Sequence, residues 1–356
     1  MRHATRAVPV GARVVIGAGA PVTVQSMTNT DTGDVDATVA QIDRLTDAGC
    51  DIVRCSVYNP DCAAAIRKIR DRIRIPLVAD IHFDHRLAIA AIENGADKLR
   101  FNPGNIGSAD RVKSLVSCAK AHGTPIRIGV NGGSIEKELK DKYGGATPEA
   151  MVESALKHVR ILESEGFFDI VISLKASTVR DTVDAYRRMS GIVDYPLHIG
   201  ITETGSVEQG IIKSAVGIGA LLLDGIGDTI RVSLTDDPVQ EVMCGKRILR
   251  SLHLLQDDIE IVSCPTCGRT RVDLMQAVAE VDRRLPHNRG YLKVAVMGCA
   301  VNGPGEAQDA DIGIAFGDGN GVIFKHGEKL LSGKMPAILD VLIREAEQML
   351  LSRSGV

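Results

Sequence analysis

Residues 22–57, VTVQSMTNTDTGDVDATVAQIDRLTDAGCDIVRCSV, contain one repeat of the pattern that decides the fold. Two short β-rich runs, at 22–27 and 52–57, flank a helical pattern at 36–48. Strands that alternate with helices predict a parallel sheet. Outward from this repeat, β-rich runs recur at 76–81, 98–102, 126–130, 170–175, 197–202 and 230–234, and a further helical pattern lies at 147–165.

These runs together span about 240 residues, which is the size of a (β/α)₈ barrel, or TIM barrel. An open doubly wound sheet is the alternative. That fold usually carries a glycine-rich fingerprint after its first strand, and residues 25–29, QSMTN, do not match it. We therefore predict an α/β fold built on a barrel.

The alternating pattern ends after Thr235. We predict a substrate-binding barrel domain over 1–237, a helical connector over 238–257 and a small α+β domain over 258–356. In the last of these, a strand ends at Cys264, helices are predicted at 270–284 and 336–351, and strands at 293–297, 311–315 and 322–324.

The composition excludes two classes of function. Aromatic residues make up 3% of the chain, Trp is absent and the formal net charge is -3, so neither stacking platforms nor a basic nucleic-acid surface is expected. No apolar run is long enough to span a membrane, and no signal-peptide pattern follows Met1. We expect a cytoplasmic protein whose 8 cysteines are not disulfide-bonded.

Five of the predicted strands carry a cation between apolar neighbours. Burying an unpaired charge costs several kcal/mol. Such a set therefore indicates a shared anionic ligand rather than five unrelated buried charges. Ligands of a barrel bind at the carboxyl ends of its strands, and the planar fork of arginine suits phosphate. A single member of the set could instead point outward and pair with a helix carboxylate. The five cations are Arg54, Arg100, Arg127, Lys175 and Arg231.

Other polar side chains are predicted at the same strand ends. Asp80 and His82 are two residues apart and face one side of a strand. Glu203 ends the run 197–202 and is a candidate acid or base, whereas His198 reads equally well as a core histidine. The further polar residues at these ends are Asn102, Asn131 and Ser233.

Three cysteines have the spacing of a metal site. Cys264 and Cys267 form a C-x-x-C pair, and Cys299 lies in the glycine-rich segment 297–306, MGCAVNGPGE, which ends at Glu306. Iron–sulfur clusters are held mainly by thiolates, and Glu306 is the nearest hard ligand. Zinc held by the three cysteines and His287 is an alternative. A thioredoxin-like pair would leave Cys299 unexplained.

Residues 21–32, PVTVQSMTNTDT, together with Cys264, Cys267 and 298–306, resemble the 4-hydroxy-3-methylbut-2-enyl diphosphate synthase family. This is the bacterial flavodoxin- or ferredoxin-dependent family of the methylerythritol phosphate route to isoprenoids. The similarity covers nearly the whole chain and keeps the order of barrel, then cluster domain. The long insertion of the plant enzymes is absent, and the motif positions show no departure.

The resemblance implies a [4Fe–4S] cluster on Cys264, Cys267, Cys299 and Glu306. It also implies reductive ring opening and dehydration of 2-C-methyl-D-erythritol 2,4-cyclodiphosphate. The family is a homodimer in which the cluster domain of one subunit caps the barrel of the other. Its second domain resembles the cluster-binding part of sulfite reductases.

The resemblance also implies roles for residues of the barrel. Asp80, His82 and Glu203 would line the reacting carbons, and Glu203 is our candidate for delivering the proton that lets the hydroxyl leave as water. The residues that would bind the diphosphate are Arg54, Arg100, Arg127, Asn131, Lys175, Arg231 and Ser233.

A second class of function is a barrel enzyme without redox chemistry. Lys175, near the end of its strand, would form a Schiff base in an aldolase or isomerase acting on a phosphosugar, and the cysteines would hold a structural zinc ion. This alternative leaves Glu306 and its glycine-rich loop without a role.

Overall fold

The structure is a computed structural model and describes residues 2–82, 84–105 and 108–353. The chain forms two compact units, Met1–Leu255 and Gln256–Val356. In the described part of the chain, no helix is both long and apolar enough to cross a membrane.

The first unit is a barrel of parallel strands preceded by a hairpin, as the alternating pattern predicted. In the hairpin, β1 (Val8–Val10) pairs antiparallel with β2 (Val14–Ile16). The barrel sheet has the order β8-β7-β6-β5-β4-β3-β10-β9, and a parallel bridge between Ile172 and Leu197 joins its two edges. Its strands are β3 (Thr23–Met27), β4 (Ile52–Ser56), β5 (Leu77–Asp80), β6 (Lys98–Arg100), β7 (Ile126–Asn131), β8 (Ile170–Lys175), β9 (His198–Ile199) and β10 (Thr229–Ile230).

Helices surround this sheet, and polar caps fix where several of them begin. Asp34, Asn59 and Thr147 each accept a backbone N–H at the first turn of α1, α2 and α6, which satisfies a donor with no partner inside the helix. The helices are α1 (Val35–Asp47), α2 (Pro60–Arg70), α3 (His85–Glu93), α4 (Ala109–His122), α5 (Lys137–Tyr143), α6 (Pro148–Ser164), α7 (Val179–Ser190), α8 (Val207–Leu223) and α9 (Pro238–Ser251).

Alternate residues of the barrel strands belong to different cores, because successive side chains of a strand point to opposite faces. Val53, Leu99 and Ile128 are buried in the main core between sheet and helices. The residues between them face the barrel interior. At the amino-terminal end of the barrel, that interior is filled by an apolar floor of Val8, Val10, Ile16, Ile52, Val78 and Val171.

Two features of the first unit differ from the predictions. The hairpin β1–β2 was not predicted, because its strands have only three residues each. The helix predicted within the connector is α9, and it lies in the first unit with the barrel. A Cβ placed on Gly245 of α9 would lie 3.1 Å from Val24 and 3.5 Å from Ile230, so this helix packs directly on β3 and β10.

The second unit is a mixed sheet with helices. Its strands follow the order β11-β12-β13-β14-β15, of which the first three are mutually parallel. The predicted strands and both predicted helices are present, whereas β15 and the short helix α11 were not predicted. The elements are β11 (Ile259–Ser263), α10 (Leu274–Arg284), β12 (Leu292–Met297), α11 (Gly303–Gln308), β13 (Ile312–Phe316), β14 (Asn320–Lys325), β15 (Glu328–Lys334) and α12 (Ala337–Arg353).

Candidate active site

The predicted cations lie in the barrel interior, three of them at the carboxyl ends of their strands and two deeper along the strands. Arg100 and Lys175 are the last residues of β6 and β8, and Arg231 follows β10 directly, whereas Arg54 is the middle residue of β4 and Arg127 is the second residue of β7. Arg54 and Arg100 are buried, and Arg127 is fully buried on β7. Because these strands surround one interior, the cations face a common space rather than separate helix surfaces.

Asp80 at the end of β5 is the carboxylate that holds two of these arginines. Its Oδ1 lies 3.3 Å from Nη1 of Arg100, and its Oδ2 lies 3.7 Å from Nε of Arg54. Burial raises the pKa of Asp80, but the two arginines outweigh it, so the pKa lies below its ordinary value. Burial and the neighbouring arginines together lower the pKa of Arg54 to about 10, despite the opposing effect of Asp80.

Arg127 and Lys175 have much less compensation. Nη1 of Arg127 donates to Oγ of Ser173 over 3.3 Å, while its Nε and Nη2 have no hydrogen-bond partner among the described residues. Burial lowers the pKa of Lys175 well below its ordinary value, and Arg54 and Arg127 lower it further. Buried donors without partners are rare in proteins, so an anion is the expected occupant of this space.

Arg231 is paired by a residue that the sequence pattern did not indicate. Nη2 of Arg231 lies 3.6 Å from Oε2 of Glu241, a buried residue of α9. The same carboxylate accepts hydrogen bonds from Oγ of Ser26 at 3.2 Å and from the N–H of Leu234 at 3.0 Å. Glu241 thereby ties α9 to the carboxyl ends of β3 and β10.

The two predicted asparagines at these ends have different roles. Asn102 exchanges two hydrogen bonds of 2.8 Å with the backbone of Gly129, which fixes the end of β6 to β7. Asn131 lies opposite Lys175 in the β7–β8 register, and its Oδ1 has no partner in the described part of the chain. Asn131 is therefore available to a ligand, and Asn102 is structural.

Glu203 has an uncommon backbone conformation. It is exposed and adopts a φ of 59°, which costs energy for a residue other than glycine. The neighbouring Thr204 donates from Oγ1 to the carbonyl of Ser233 at 2.9 Å, so the segments after β9 and β10 are joined beside Glu203. His82 lies in the segment after β5 and is exposed. It is close enough to Asp80 to favour the ionised form of the Asp80 carboxyl.

The cysteines of the second unit lie on loops after neighbouring parallel strands. Cys264 follows β11, and Gly298 and Cys299 follow β12. The N–H of Gly298 donates to Sγ of Cys264 at 3.3 Å, and the N–H of Arg271 donates to the carbonyl of Gly298 at 3.0 Å. The C-x-x-C loop and the glycine-rich loop are thus in contact. Glu306 is exposed on α11.

Two of these thiols have an environment that favours the thiolate. Backbone N–H groups of Val301 and Asn302 lower the pKa of Cys299. The backbone N–H of Arg269 lowers the pKa of Cys267. Thiolates are the metal-binding form of cysteine, and N–H donors to sulfur are typical of iron–sulfur sites. The chemistry of this donor set therefore fits an iron–sulfur cluster.

Comparison with known proteins identifies the family. Residues 5–246 match the family model described as the GcpE TIM-barrel domain, and residues 260–348 match that of the GcpE protein C-terminal domain. The chain belongs to the GcpE family.

Curated GcpE relatives share most of their sequence with this chain. A protein of Caldanaerobacter subterraneus is 60% identical over 349 residues, covering 98% of both chains. A protein of Clostridium perfringens is 55% identical over 346 residues, covering 97% of this chain and 99% of its own. Both are named 4-hydroxy-3-methylbut-2-en-1-yl diphosphate synthase (flavodoxin).

Solved structures resemble the GcpE barrel at low sequence identity. The dihydropteroate synthase of Stenotrophomonas maltophilia superposes with a TM-score of 0.52 at 14% identity, covering 70% of this chain and 98% of its own. This similarity supports the barrel fold and nothing about the reaction.

The zinc alternative is not supported. His287, its proposed fourth ligand, has Nδ1 at 3.1 Å from Asp258 and Nε2 at 2.8 Å from the carbonyl of Asp282. Among the described residues, no three His, Cys, Asp or Glu side chains are gathered so as to hold one metal ion, and this applies to Cys264, Cys267, Cys299 and Glu306 as much as to the zinc set. The Schiff-base enzyme that this zinc site accompanied is not supported either, because GcpE relatives carry the name of a different activity.

Two residues that line this site were missed in the sequence. Glu241 contacts Arg231 only because α9 packs on the barrel, and no local pattern shows this. Lys98 is fully buried on β6 and lies two residues before Arg100. Its period-two spacing from Arg100 was a usable signal, because both side chains must face the same side of the strand.

Proposed function

We propose that this chain catalyses the reductive ring opening and dehydration of 2-C-methyl-D-erythritol 2,4-cyclodiphosphate to 4-hydroxy-3-methylbut-2-enyl diphosphate. The observation that carries the proposal is the excess of positive charge in the barrel. Five cations are compensated by two buried carboxylates, those of Asp80 and Glu241. The two phosphates of a bound cyclodiphosphate would offset most of this excess.

The cations would bind and orient the substrate. Arg54, Arg100, Arg127, Lys175 and Arg231 would hold the two phosphates, with Asn131 and Ser233 completing the contacts. When the ring C–O bond to phosphate breaks, charge develops on the released phosphate oxygen. Donors already fixed around that oxygen stabilise it without reorganisation.

Glu203 would deliver the proton that lets the hydroxyl leave as water. Two observations support this role: its side chain is exposed beside the carboxyl ends of the strands, and its backbone is strained. Strained residues cluster at functional sites. Asp80 and His82 would line the reacting carbons, with Asp80 also keeping Arg54 and Arg100 in place.

The ligands of an iron–sulfur cluster would be Cys264, Cys267, Cys299 and Glu306. A [4Fe–4S] cluster held there would supply the two electrons that the ring opening consumes. The support from this chain is the contact between the two cysteine loops and the N–H groups that favour the thiolates. The relation of the second unit to sulfite reductases stays part of this proposal.

We further propose flavodoxin as the electron donor, since the curated relatives carry that word in their names. A homodimer is proposed as well. Ile212, Val216 and Leu223 of α8 are 58%, 58% and 75% exposed, and such an apolar surface is typical of an interface. Light scattering of the purified protein tests this: a monomer mass near 38.0 kDa would contradict it.

One experiment tests the reaction. Protein purified without oxygen is expected to be brown, with about four irons per chain. With reduced flavodoxin and the cyclodiphosphate, it is expected to form the allylic diphosphate, which mass spectrometry detects. Stoichiometric zinc without iron, or an unchanged substrate in the presence of a reducible cluster, would contradict the proposal.

A further inference from the structure

Lys98 is a fully buried basic residue that the proposed reaction does not use. It is the first residue of β6. Leu99 packs in the core outside the sheet, so Lys98 and Arg100 face the barrel interior. In the β5–β6 register Lys98 lies opposite Val78, which belongs to the apolar floor. Arg54 lies opposite the same Val78 from β4, so Lys98 borders the floor at the level of Arg54.

The surroundings of Lys98 do not compensate a positive charge. Its Nζ has no hydrogen-bond partner among the residues that the structure describes. Burial lowers the pKa of the amine well below its ordinary value, and Arg127 and Arg54 lower it further. Oγ1 of Thr23 and the side-chain amide of Gln25, inside the same barrel, also have no partner in the described chain.

The other charged groups of the interior are mostly cations too. Asp80 is already engaged with Arg54 and Arg100, and Glu241 is engaged with Arg231. His198 on β9 is fully buried, and burial followed by Arg127 and Lys98 lowers its pKa. Arg54, Arg127 and His198 interact with Lys98 directly, and the other charged groups described in the interior are Asp80, Arg100, Lys175, Arg231 and Glu241.

We propose that Lys98 is a positioning residue whose amine is neutral in the ligand-free barrel and takes up a proton when a diphosphate binds to the arginines. The inference rests on the proposed function of the barrel. An anion bound to the arginines reduces the positive potential at Lys98, which makes the ammonium form less unfavourable. The ammonium then adds its own attraction for the bound diphosphate. The proton comes from the buffer, and no bond to carbon or phosphorus changes.

The coupling has a defined sign. Binding that consumes a proton becomes stronger as the pH falls, by about tenfold per pH unit for one proton. This holds between the pKa of Lys98 in the ligand-free barrel and its higher pKa in the complex. Each phosphorus of the cyclodiphosphate carries one strongly acidic hydroxyl, so the ligand itself does not titrate near neutral pH. Lys175 and His198 can also take up protons. A variant that lacks the Lys98 amine is therefore needed to separate the proton taken up by Lys98 from theirs.

Calorimetry of cyclodiphosphate binding to the complete protein, without a reductant and hence without turnover, measures the uptake. Buffers that differ in ionisation enthalpy give the number of protons consumed. Lys98→Met is expected to consume up to one proton fewer than the wild type, and its affinity should depend on pH more weakly, by up to about tenfold per unit. Lys113→Met, which removes an exposed amine of α4, should behave like the wild type.

Equal proton uptake by the wild type and Lys98→Met would overturn the inference. Lys98→Gln provides a second uncharged variant. Both variants should fold, because the inference makes Lys98 uncharged in the ligand-free protein; unfolding of both would overturn it too. Failure of the wild type to bind the cyclodiphosphate would contradict the proposed function instead.

Discussion

The barrel interior and the cysteine loops hold their polar groups in different ways. In the barrel, side chains hold one another: Asp80 lies between Arg54 and Arg100, and Glu241 ties Arg231 to Ser26. In the second unit, backbone N–H groups point at the sulfur atoms, and Cys267 and Glu306 remain exposed. The difference indicates that the side chains of the anion site are held in place by one another within the barrel. The positions of the cluster ligands depend instead on the conformation of the loops that carry them.

The largest effect is expected from the cysteine loops. Cys264→Ser removes one of the proposed sulfur ligands of the cluster, and we expect iron content and turnover to be lost together. Iron analysis, visible absorbance and product formation measure this. Cys118→Ser on α4, where the thiol is half-buried on the outside of the barrel, should keep both. A Cys264→Ser protein with full iron would refute the ligand set.

The next largest effect is expected from Glu203→Gln in the barrel, which should lower turnover without changing the iron content of the second unit. Glu203→Gln keeps the size of the side chain and removes its proton, so turnover should fall about 10²–10⁴-fold, the usual range for a lost general acid. The iron content should not change, because the substitution lies in the barrel unit. Glu208→Gln, an exposed neighbour on α8, serves as the control. Normal turnover by Glu203→Gln would mean that another group donates the proton.

Asp80→Asn tests how much the buried arginines of the anion site destabilise the fold when their carboxylate partner is removed. Removal of one partner of a buried ion pair leaves the other charged and unpaired, so the free energy of unfolding should fall by about 3 kcal/mol. The pKa of Asp80 is lowered in the fold, so its stabilisation is present above its ordinary pKa and lost as the pH falls through the native value.

Urea unfolding with and without the cyclodiphosphate checks this prediction. The ligand should stabilise Asp80→Asn more than the wild type, because it takes over the role of counterion for Arg54 and Arg100. Asp36→Asn is the matched control, since it breaks an exposed pair with Arg72 and should change stability by less than about 1 kcal/mol. An equal loss of unfolding free energy in both variants would show that the interior arginines do not need the Asp80 carboxylate as a counterion.

Much of this arrangement could be predicted from local patterns. Cations between apolar residues on five strands predicted an anion site, because period-two spacing and the energy of a buried charge are both readable in a sequence. The C-x-x-C pair and the segment around Cys299 predicted that two loops act together, and the N–H of Gly298 does contact Cys264.

The rest depends on packing between distant segments. Glu241 reaches Arg231 from a helix that was predicted as part of a connector, and only its position on β3 and β10 explains the pair. The strand β15 was missed because most of its residues are exposed and polar, as is common at the edge of a sheet. The left-handed backbone of Glu203 also has no signature in its side chain.

The smallest effect concerns how tightly the cysteine loops are packed. A Cβ on Gly298 would lie 3.0 Å from Cγ2 of Thr270 and 3.1 Å from Cδ2 of Leu274, so Gly298→Ala must displace these neighbours by a few tenths of an ångström. We expect a loss of about 1 kcal/mol in the unfolding free energy of the second unit. Gly305→Ala is the control, because its Cβ would meet no atom within 4 Å. If both variants unfold alike, the loops are not packed at Gly298, and the contact between its N–H and Cys264 contributes little to holding the cysteines together.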